Sequence, residues 1–190
     1  RLAGDSFAGL RAINNLMLYE ANDGLQTVAD LVERGVDLAQ RVGEGSLSIR
    51  LSMWSSLLHE AGGDFSAAAT ALDVVDVSGD GNWKRLLAAL RERMRWHDDD
   101  DRNRLMRARD LLEPVLESPE PQYRDFARDY LASVEWYVDD LEAAWEQVVR
   151  LATRPESGSL PWLIEFRERG LAVALRSGDV DRHRAAAEIS

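Results

Sequence analysis

The chain has 190 residues, a formal net charge of −11, 45% hydrophobic residues and no cysteine. That is enough apolar material for one domain or one continuous array, and the lack of cysteine excludes a disulfide framework and thiolate chemistry. No run approaches the ~18 apolar residues of a membrane span, and the acidic total disfavours wide nucleic-acid contact, which rests on excess Lys and Arg.

The charge is uneven. Residues 1–80 carry 5 basic and 12 acidic side chains, residues 81–110 carry 9 and 6, and residues 111–190 carry 9 and 16. A basic belt therefore lies between two acidic flanks. Of the 23 basic residues only Lys84 is lysine, which with abundant Asp and Ala points to a high-GC bacterial source. The opening Arg1-Leu2-Ala3-Gly4-Asp5 mirrors Arg41-Val42-Gly43-Glu44, where a later helix ends. A chain that begins at the exit of an earlier repeat is expected to be a fragment of a larger protein, and a signal peptide on that parent stays open.

The first helix is expected over roughly Ser6–Glu20, with Leu10, Ile13, Leu16 and Met17 facing inward. Its partner spans roughly Gly24–Arg41, where Leu25, Val28, Ala29, Val32, Val36 and Ala39 recur at helical spacing. The next pair is Ser46–Ala61 and Asp64–Val77, the second striped by Phe65, Ala68, Ala69 and Leu72. Trp83–His97 and Arg102–Glu117 form the third pair, with Leu105, Ala108, Leu112, Val115 and Leu116 inward. Pro114 should bend or end that helix, since it has no N–H to donate. Ser118-Pro119-Glu120-Pro121 is a firm break.

The fourth pair organises the reading. Ala127, Leu131, Val134 and Val138 stripe its first helix, which starts near Gln122. Leu141, Ala144, Trp145, Val148, Val149 and Ala152 lie on one face of the second. The turn at Asp139-Asp140 is so short that the two must lie antiparallel and bury their stripes together. Trp145 is expected to be buried between hairpins. The fifth pair is Leu160–Ser177 and Asp179–Ile189.

An acidic turn recurs at Asn22-Asp23, Gly63-Asp64, Asp100-Asp101, Asp139-Asp140 and Gly178-Asp179, at intervals of 41, 37, 39 and 39 residues between the aspartates. A period near 40 in an all-helical chain signals stacked hairpins, because one hairpin cannot bury its face alone. The fold expected is all-α: an α-solenoid of about five antiparallel helix hairpins, running as a single array over residues 1–190.

Candidate chemistry is sparse. Asp76-Val77-Ser78-Gly79-Asp80-Gly81-Asn82-Trp83 resembles the start of an EF-hand or dockerin calcium loop, but position 12, which should be acidic, is Leu87. It reads as a turn between repeats, and no calcium binding is expected. Asp98–Asp101 could hold a divalent cation, yet it falls at a predicted turn and is read as a helix cap. Arg102 and Arg109 share one flank of a helix and Arg104 and Arg107 another, so they do not form a single phosphate-binding stripe. A salt-bridged surface is the favoured reading. His59, His97 and His183 fall in different repeats, without metal-ligand spacing. Ser52, Ser55 and Ser56 lack a nucleophile context and read as packing residues. Most of Trp54, Trp83, Trp96, Trp136, Trp145 and Trp162 should be core. No enzyme activity, cofactor or metal is expected.

Leu131–Pro155, reading LASVEWYVDDLEAAWEQVVRLATRP, resembles the tetratricopeptide-repeat (TPR) pattern in a long-period form. It carries a small residue (Ala132) before the turn, an Asp at the turn, Ala144 after it and a closing Pro155. Leu57–Leu72, with Gly63-Asp64 and Ala68, matches next best. Helices ending in R-x-x-G-[DE] also resemble the TPR regions of large bacterial ATP-dependent regulators. The resemblance implies a non-catalytic protein or peptide interaction module, the regulatory region of a cytoplasmic bacterial signalling or transcription regulator. Its partner would be a protein, a peptide or a neighbouring domain, with no direct nucleic acid and no membrane. The alternative is a ligand-sensing solenoid wrapping a small molecule or signalling peptide.

In such a stack the first helix of each pair lines the concave side. Counting back from each turn gives Tyr19, Glu20, Glu60, His97, Trp136, Tyr137 and Arg176, with Arg50, Met53, Asp129 and Ser133 one turn or more earlier. The partner groove is expected at Arg50, Met53, Asp129, Ser133, Trp136, Tyr137 and Arg176, centred on Trp136 and Tyr137. The competing reading packs those two aromatics against the neighbouring hairpin.

Overall fold

The computed structural model describes residues 8–9, 12–13, 16, 29–42, 45–73, 81–153, 170 and 172–189. Among them the chain is helical, with no strand. We number the helices α1 (Ala29–Val42), α2 (Gly45–Ala61), α3 (Phe65–Asp73), α4 (Gly81–Asp99), α5 (Arg102–Leu112), α6 (Pro121–Tyr137), α7 (Leu141–Ala152) and α8 (Val180–Ile189). A 3-10 turn spans Glu113–Glu117, and residues 172–177 are also helical. No described helix is long and apolar enough to cross a membrane.

Four turns are built alike. Gly63, Asp100, Asp139 and Gly178 have φ of 77, 52, 71 and 66°. This left-handed residue ends one helix and redirects the chain within a single step. The aspartate that follows each then caps the next helix. Asp64 accepts from Ala67 N at 2.9 Å, Asp101 from Asn103 N at 3.0 Å, Asp140 from Ala143 N at 3.1 Å and Asp179 from Asp181 N at 2.9 Å. Asp64 N and Asp140 N also reach back to His59 O and Glu135 O, both at 2.9 Å, closing the preceding helix. The acidic turns are thus paired stop and start signals. The fifth, Asn22-Asp23, lies outside the described residues.

Contacts divide the chain into two compact units, Arg1–Gly81 with His97–Asp100, and Asn82–Trp96 with Asp101–Ser190. In the first, α1 packs on α2 and α2 on α3. Val32, Ala39 and Leu51 form its buried cluster, with Ile13, Val36, Trp54 and Leu58 packed around it. Gly35 lets α1 and α2 approach, since a Cβ there would lie 2.6 Å from Leu51 Cδ2. Leu16, expected inward, is 47% exposed. Ser52 and Ser56 are buried, as packing residues should be. Phe65 at the start of α3 stacks on His97, ring centroids 4.0 Å apart.

In the second unit α6 packs on α7, on α5 and on the 3-10 turn. Leu86, Leu87, Leu90 and Met94 of α4 are buried, as are Leu105, Ala108 and Leu112 of α5 and Ala127, Leu131 and Val134 of α6. Those of α5 and α6 are stripes that the sequence periodicity defines. Pro114 does end its helix: α5 stops at Leu112 and the chain tightens into the 3-10 turn. The break before α6 closes at Pro121, the first helical residue, where a missing N–H is harmless. Ala132, Val148 and Leu151 form the seam between α6 and α7.

Two expectations about tryptophan need correction. Trp145 is half-buried rather than enclosed, packing on that seam beneath the Arg182 guanidinium, 5.9 Å from its ring. Of the described tryptophans only Trp83 is buried, in edge contact with Tyr123 at 5.4 Å; Trp54, Trp96, Trp136 and Trp145 are half-buried. A helical stripe of about 100° has flanks, and a large indole on a flank keeps one edge in solvent. Trp162 lies outside the described residues.

Candidate functional site

The C-terminal end of α6 gathers the richest set of side chains in the second unit. Trp136 and Tyr137 are adjacent there, in edge contact with ring centroids 5.0 Å apart. Trp96 of α4 lies against Tyr137 at 4.6 Å. On the other side Arg176 sits over the Trp136 ring, its guanidinium carbon 5.2 Å from the centroid. The result is a row: indole, phenol, indole, guanidinium. All four side chains are half-buried or exposed.

Cations hold the end of this helix. Arg176 Nη1 donates to Trp136 O at 3.1 Å, and its Nη2 pairs with Asp139 Oδ1 at 2.9 Å. Arg102 Nη2 donates to Val138 O at 2.8 Å. Guanidiniums belong here, where free carbonyls give the helix its negative end. Arg176 is therefore engaged three ways within the chain.

Next to Trp136 in the chain, Glu135 is only 3% exposed. Arg109 Nη2 meets its Oε1 at 2.9 Å and stands 3.8 Å from Asp140 Oδ2. Burial raises the Glu135 carboxyl above the ordinary carboxylate range; Arg109 opposes that, while Asp140 and Glu113 add to it. Two more arginines of the basic belt are in ion pairs: Arg104 and Arg107 both meet Glu92, at 3.3 and 2.9 Å. On α5, Arg104, Arg107 and Arg109 are thus salt-bridged and Arg102 caps a helix end, with Arg102 and Arg109 on one flank and Arg104 and Arg107 on the other.

The expected groove residues part company. Trp136, Tyr137 and Arg176 come together as described. Met53 and Ser133 do not face a groove: they are 6% and 4% exposed, and Ser133 Oγ accepts from Arg93 Nη1 at 2.9 Å. Both are interior residues, which corrects their assignment as partner contacts. Arg50 is exposed on α2, in the first unit with Met53, whereas the other five belong to the second. Asp129 is half-buried on α6. Tyr19 and Glu20 lie outside the described residues, and His97 is occupied by Phe65. Counting back from turns missed Trp96, Arg102 and Asp139. A signal for Trp96 was available, because it stands one repeat length before Tyr137.

That spacing is general. Arg93 to Ser133, Arg176 to Trp136 and Arg182 to Glu142 each join side chains or carbonyls 40 positions apart. Asn82 to Ser118 and Arg102 to Val138 each span 36.

A wide, shallow hollow of about 710 Å³ lies along α7, lined by Asp140, Glu142, Ala143, Trp145, Glu146, Val149 and Arg150. Its walls come from one helix and its cap, with charges of both signs. Among the described residues no three His, Cys, Asp or Glu side chains converge as metal ligands. Asp101 of the acidic run serves as the α5 cap, while Asp76–Asp80 of the calcium-like loop lie outside the described residues and Gly81–Trp83 open α4.

No family model, curated protein or solved structure matches this chain.

Proposed function

We propose that the chain is a non-catalytic interaction module, a TPR-like array of helix hairpins that binds a protein or peptide through the row at Trp96, Tyr137, Trp136 and Arg176. The observation that carries this reading is the set of contacts linking positions about one repeat apart. Such contacts are what stacked, register-matched hairpins make. The row itself supports a binding role, since Trp, Tyr and Arg dominate binding energy where they are rigidly held. On this reading the module belongs to a larger cytoplasmic bacterial regulator and presents its surface to a peptide or a neighbouring domain. A sensor that encloses a small molecule would need a closed pocket with convergent polar groups; the hollow on α7, walled by one helix and its cap, is not of that kind.

The test begins with peptides selected against the wild-type protein from a random display library. Their affinities are then measured for Trp136→Ala and Tyr137→Ala, with helicity and unfolding midpoint checked in parallel. Loss of binding by about tenfold or more in variants that fold supports the reading. Well-folded variants that keep wild-type affinity refute the location.

A further inference from the structure

One guanidinium serves three carboxylates where α6 turns into α7. Arg109 Nη2 lies 2.9 Å from Glu135 Oε1 on α6 and 3.8 Å from Asp140 Oδ2 in the turn, and Arg109 Nε lies 3.7 Å from Glu113 Oε1 on the 3-10 turn. Arg109 thus holds Glu135 and leaves Asp140 and Glu113 just beyond hydrogen-bond reach. The elements packed on α6 are α5, the 3-10 turn and α7. The charged groups they turn toward Glu135 are Arg109, Glu113 and, at the α7 cap, Asp140.

The joint between the two helices depends on Asp140. Its N–H donates to Glu135 O at 2.9 Å, closing α6, and its Oδ1 accepts from Ala143 N at 3.1 Å, capping α7. Its Oδ2 is the atom that faces Arg109. Glu135 is poorly placed as an anion. It is 3% exposed, and its Oε2 has no hydrogen-bond partner among the described residues. A buried carboxylate oxygen without a donor is unfavourable, and a proton on it removes most of that penalty. Burial accordingly raises this carboxyl above the ordinary 4.5; Arg109 opposes the rise, while Asp140 and Glu113 add to it.

We propose that Arg109 is a proton-operated latch: a proton on Glu135 hands the guanidinium to Asp140 and so tightens the joint between α6 and α7. The proton comes from solvent, and the only bond made is O–H. Neutral Glu135 attracts the guanidinium less, whereas Asp140 and Glu113 keep their pull on it. Nη2 has about 1 Å to travel, from 3.8 Å to hydrogen-bond distance of Asp140 Oδ2. The raised carboxyl sets the direction. The latch closes as pH falls toward 4.5 and opens as pH rises through the folded value. It stands or falls independently of the aromatic row as a binding surface.

The experiment is a titration of the whole chain by nuclear magnetic resonance, from about pH 7.5 to about pH 5. It reads the Glu135 carboxyl carbon, the Arg109 Nε–H signal, and hydrogen exchange at Asp140 N–H and Ala143 N–H, corrected for the pH dependence of the intrinsic rate. The Arg109 signal is expected to shift with the Glu135 midpoint. Protection of both amides should rise by about two- to fivefold, the range for a partly exposed ion pair. In Glu135→Gln, which mimics the protonated carboxyl, the Arg109 signal should begin near its acid position and show no step. Asp140→Asn keeps an oxygen for the α7 cap but removes the charge, and should abolish the gain in protection while Glu135 still titrates. The latch is overturned by a Glu135 carboxyl that does not titrate in this range or by an Arg109 signal that stays still while it does. A step that survives in Glu135→Gln, or a full gain in protection in Asp140→Asn, overturns it equally.

Discussion

Replacing Arg109 with Met isolates the buried carboxylate of Glu135. The substitution removes the cation 2.9 Å from a side chain that is 5% exposed, while Asp140 and Glu113 remain as like charges. An unpaired buried carboxylate has one escape, which is to take up a proton. Starting from the ordinary value of 4.5, that costs about 1.4 kcal/mol per pH unit, or roughly 3.4 kcal/mol at pH 7. This caps the penalty. The lost pairs with Glu113 and Asp140, at 3.7 and 3.8 Å, add little because those partners are largely exposed. The wild-type carboxyl is itself raised, so part of this cost is present before the substitution, and the expected loss at about pH 7 is about 1–3 kcal/mol. The sign of the pH dependence follows from the raised carboxyl. The folded state binds this proton more tightly than the unfolded chain, so the group's contribution falls as pH rises through its folded pKa and recovers as pH drops toward 4.5. The penalty of Arg109→Met should shrink to below about 1 kcal/mol near pH 5.5. Urea unfolding followed by circular dichroism at both pH values measures it, and the double variant Arg109→Met, Glu135→Gln should lose the pH dependence. A loss below about 1 kcal/mol at pH 7, or one that does not shrink on acidification, would refute this account of Glu135.

Two further substitutions test the backbone. Gly35→Ala places a Cβ 2.6 Å from the buried Leu51 Cδ2, and should cost about 1–2 kcal/mol despite alanine's better helix propensity; a rise in unfolding midpoint would mean that α1 and α2 have room between them. Asp100→Gly should do the opposite, gaining about 0.5–1 kcal/mol by removing a side chain from a left-handed residue with φ of 52°; a measurable loss in denaturant titration would contradict the turn geometry.

The helices were readable because their signals are local. Leu105, Ala108 and Leu112 fix a face by spacing alone, Pro114 lacks a donor wherever it sits, and Asp140 meets free N–H groups next to it in the chain. The candidate site was readable only in part. Trp136, Tyr137 and Arg176 were placed by counting from turns, which locates the end of a helix but not its neighbours. Ser133 passed as a groove residue because its hydrogen-bond partner, Arg93, stands forty positions earlier in the chain. Met53 failed for a related reason. Its position along α2 was inferred from the turn, whereas its burial is set by what packs beside α2. Trp145 belongs to the apolar stripe by angle, yet the width of its ring leaves one edge in water. Spacing reports direction around a helix, and burial depends on what lies in that direction.

The forty-residue interval carries a consequence for how such a chain can change length. Loss of one residue inside a helix turns everything beyond it by about 100° and breaks each interlock. Loss of a whole interval, residues 101–140, preserves rotation but changes who meets whom. Arg176 would find Trp96 where it now finds Trp136, another indole. Arg93, which now donates to Ser133, would instead find the position of Val173, which has no side-chain acceptor, while Arg182 and Glu142 would keep their spacing and their pair. Hairpins in this chain are thus interchangeable at one interlock and distinguishable at another, so the polarity of single side chains, rather than shape, records their order.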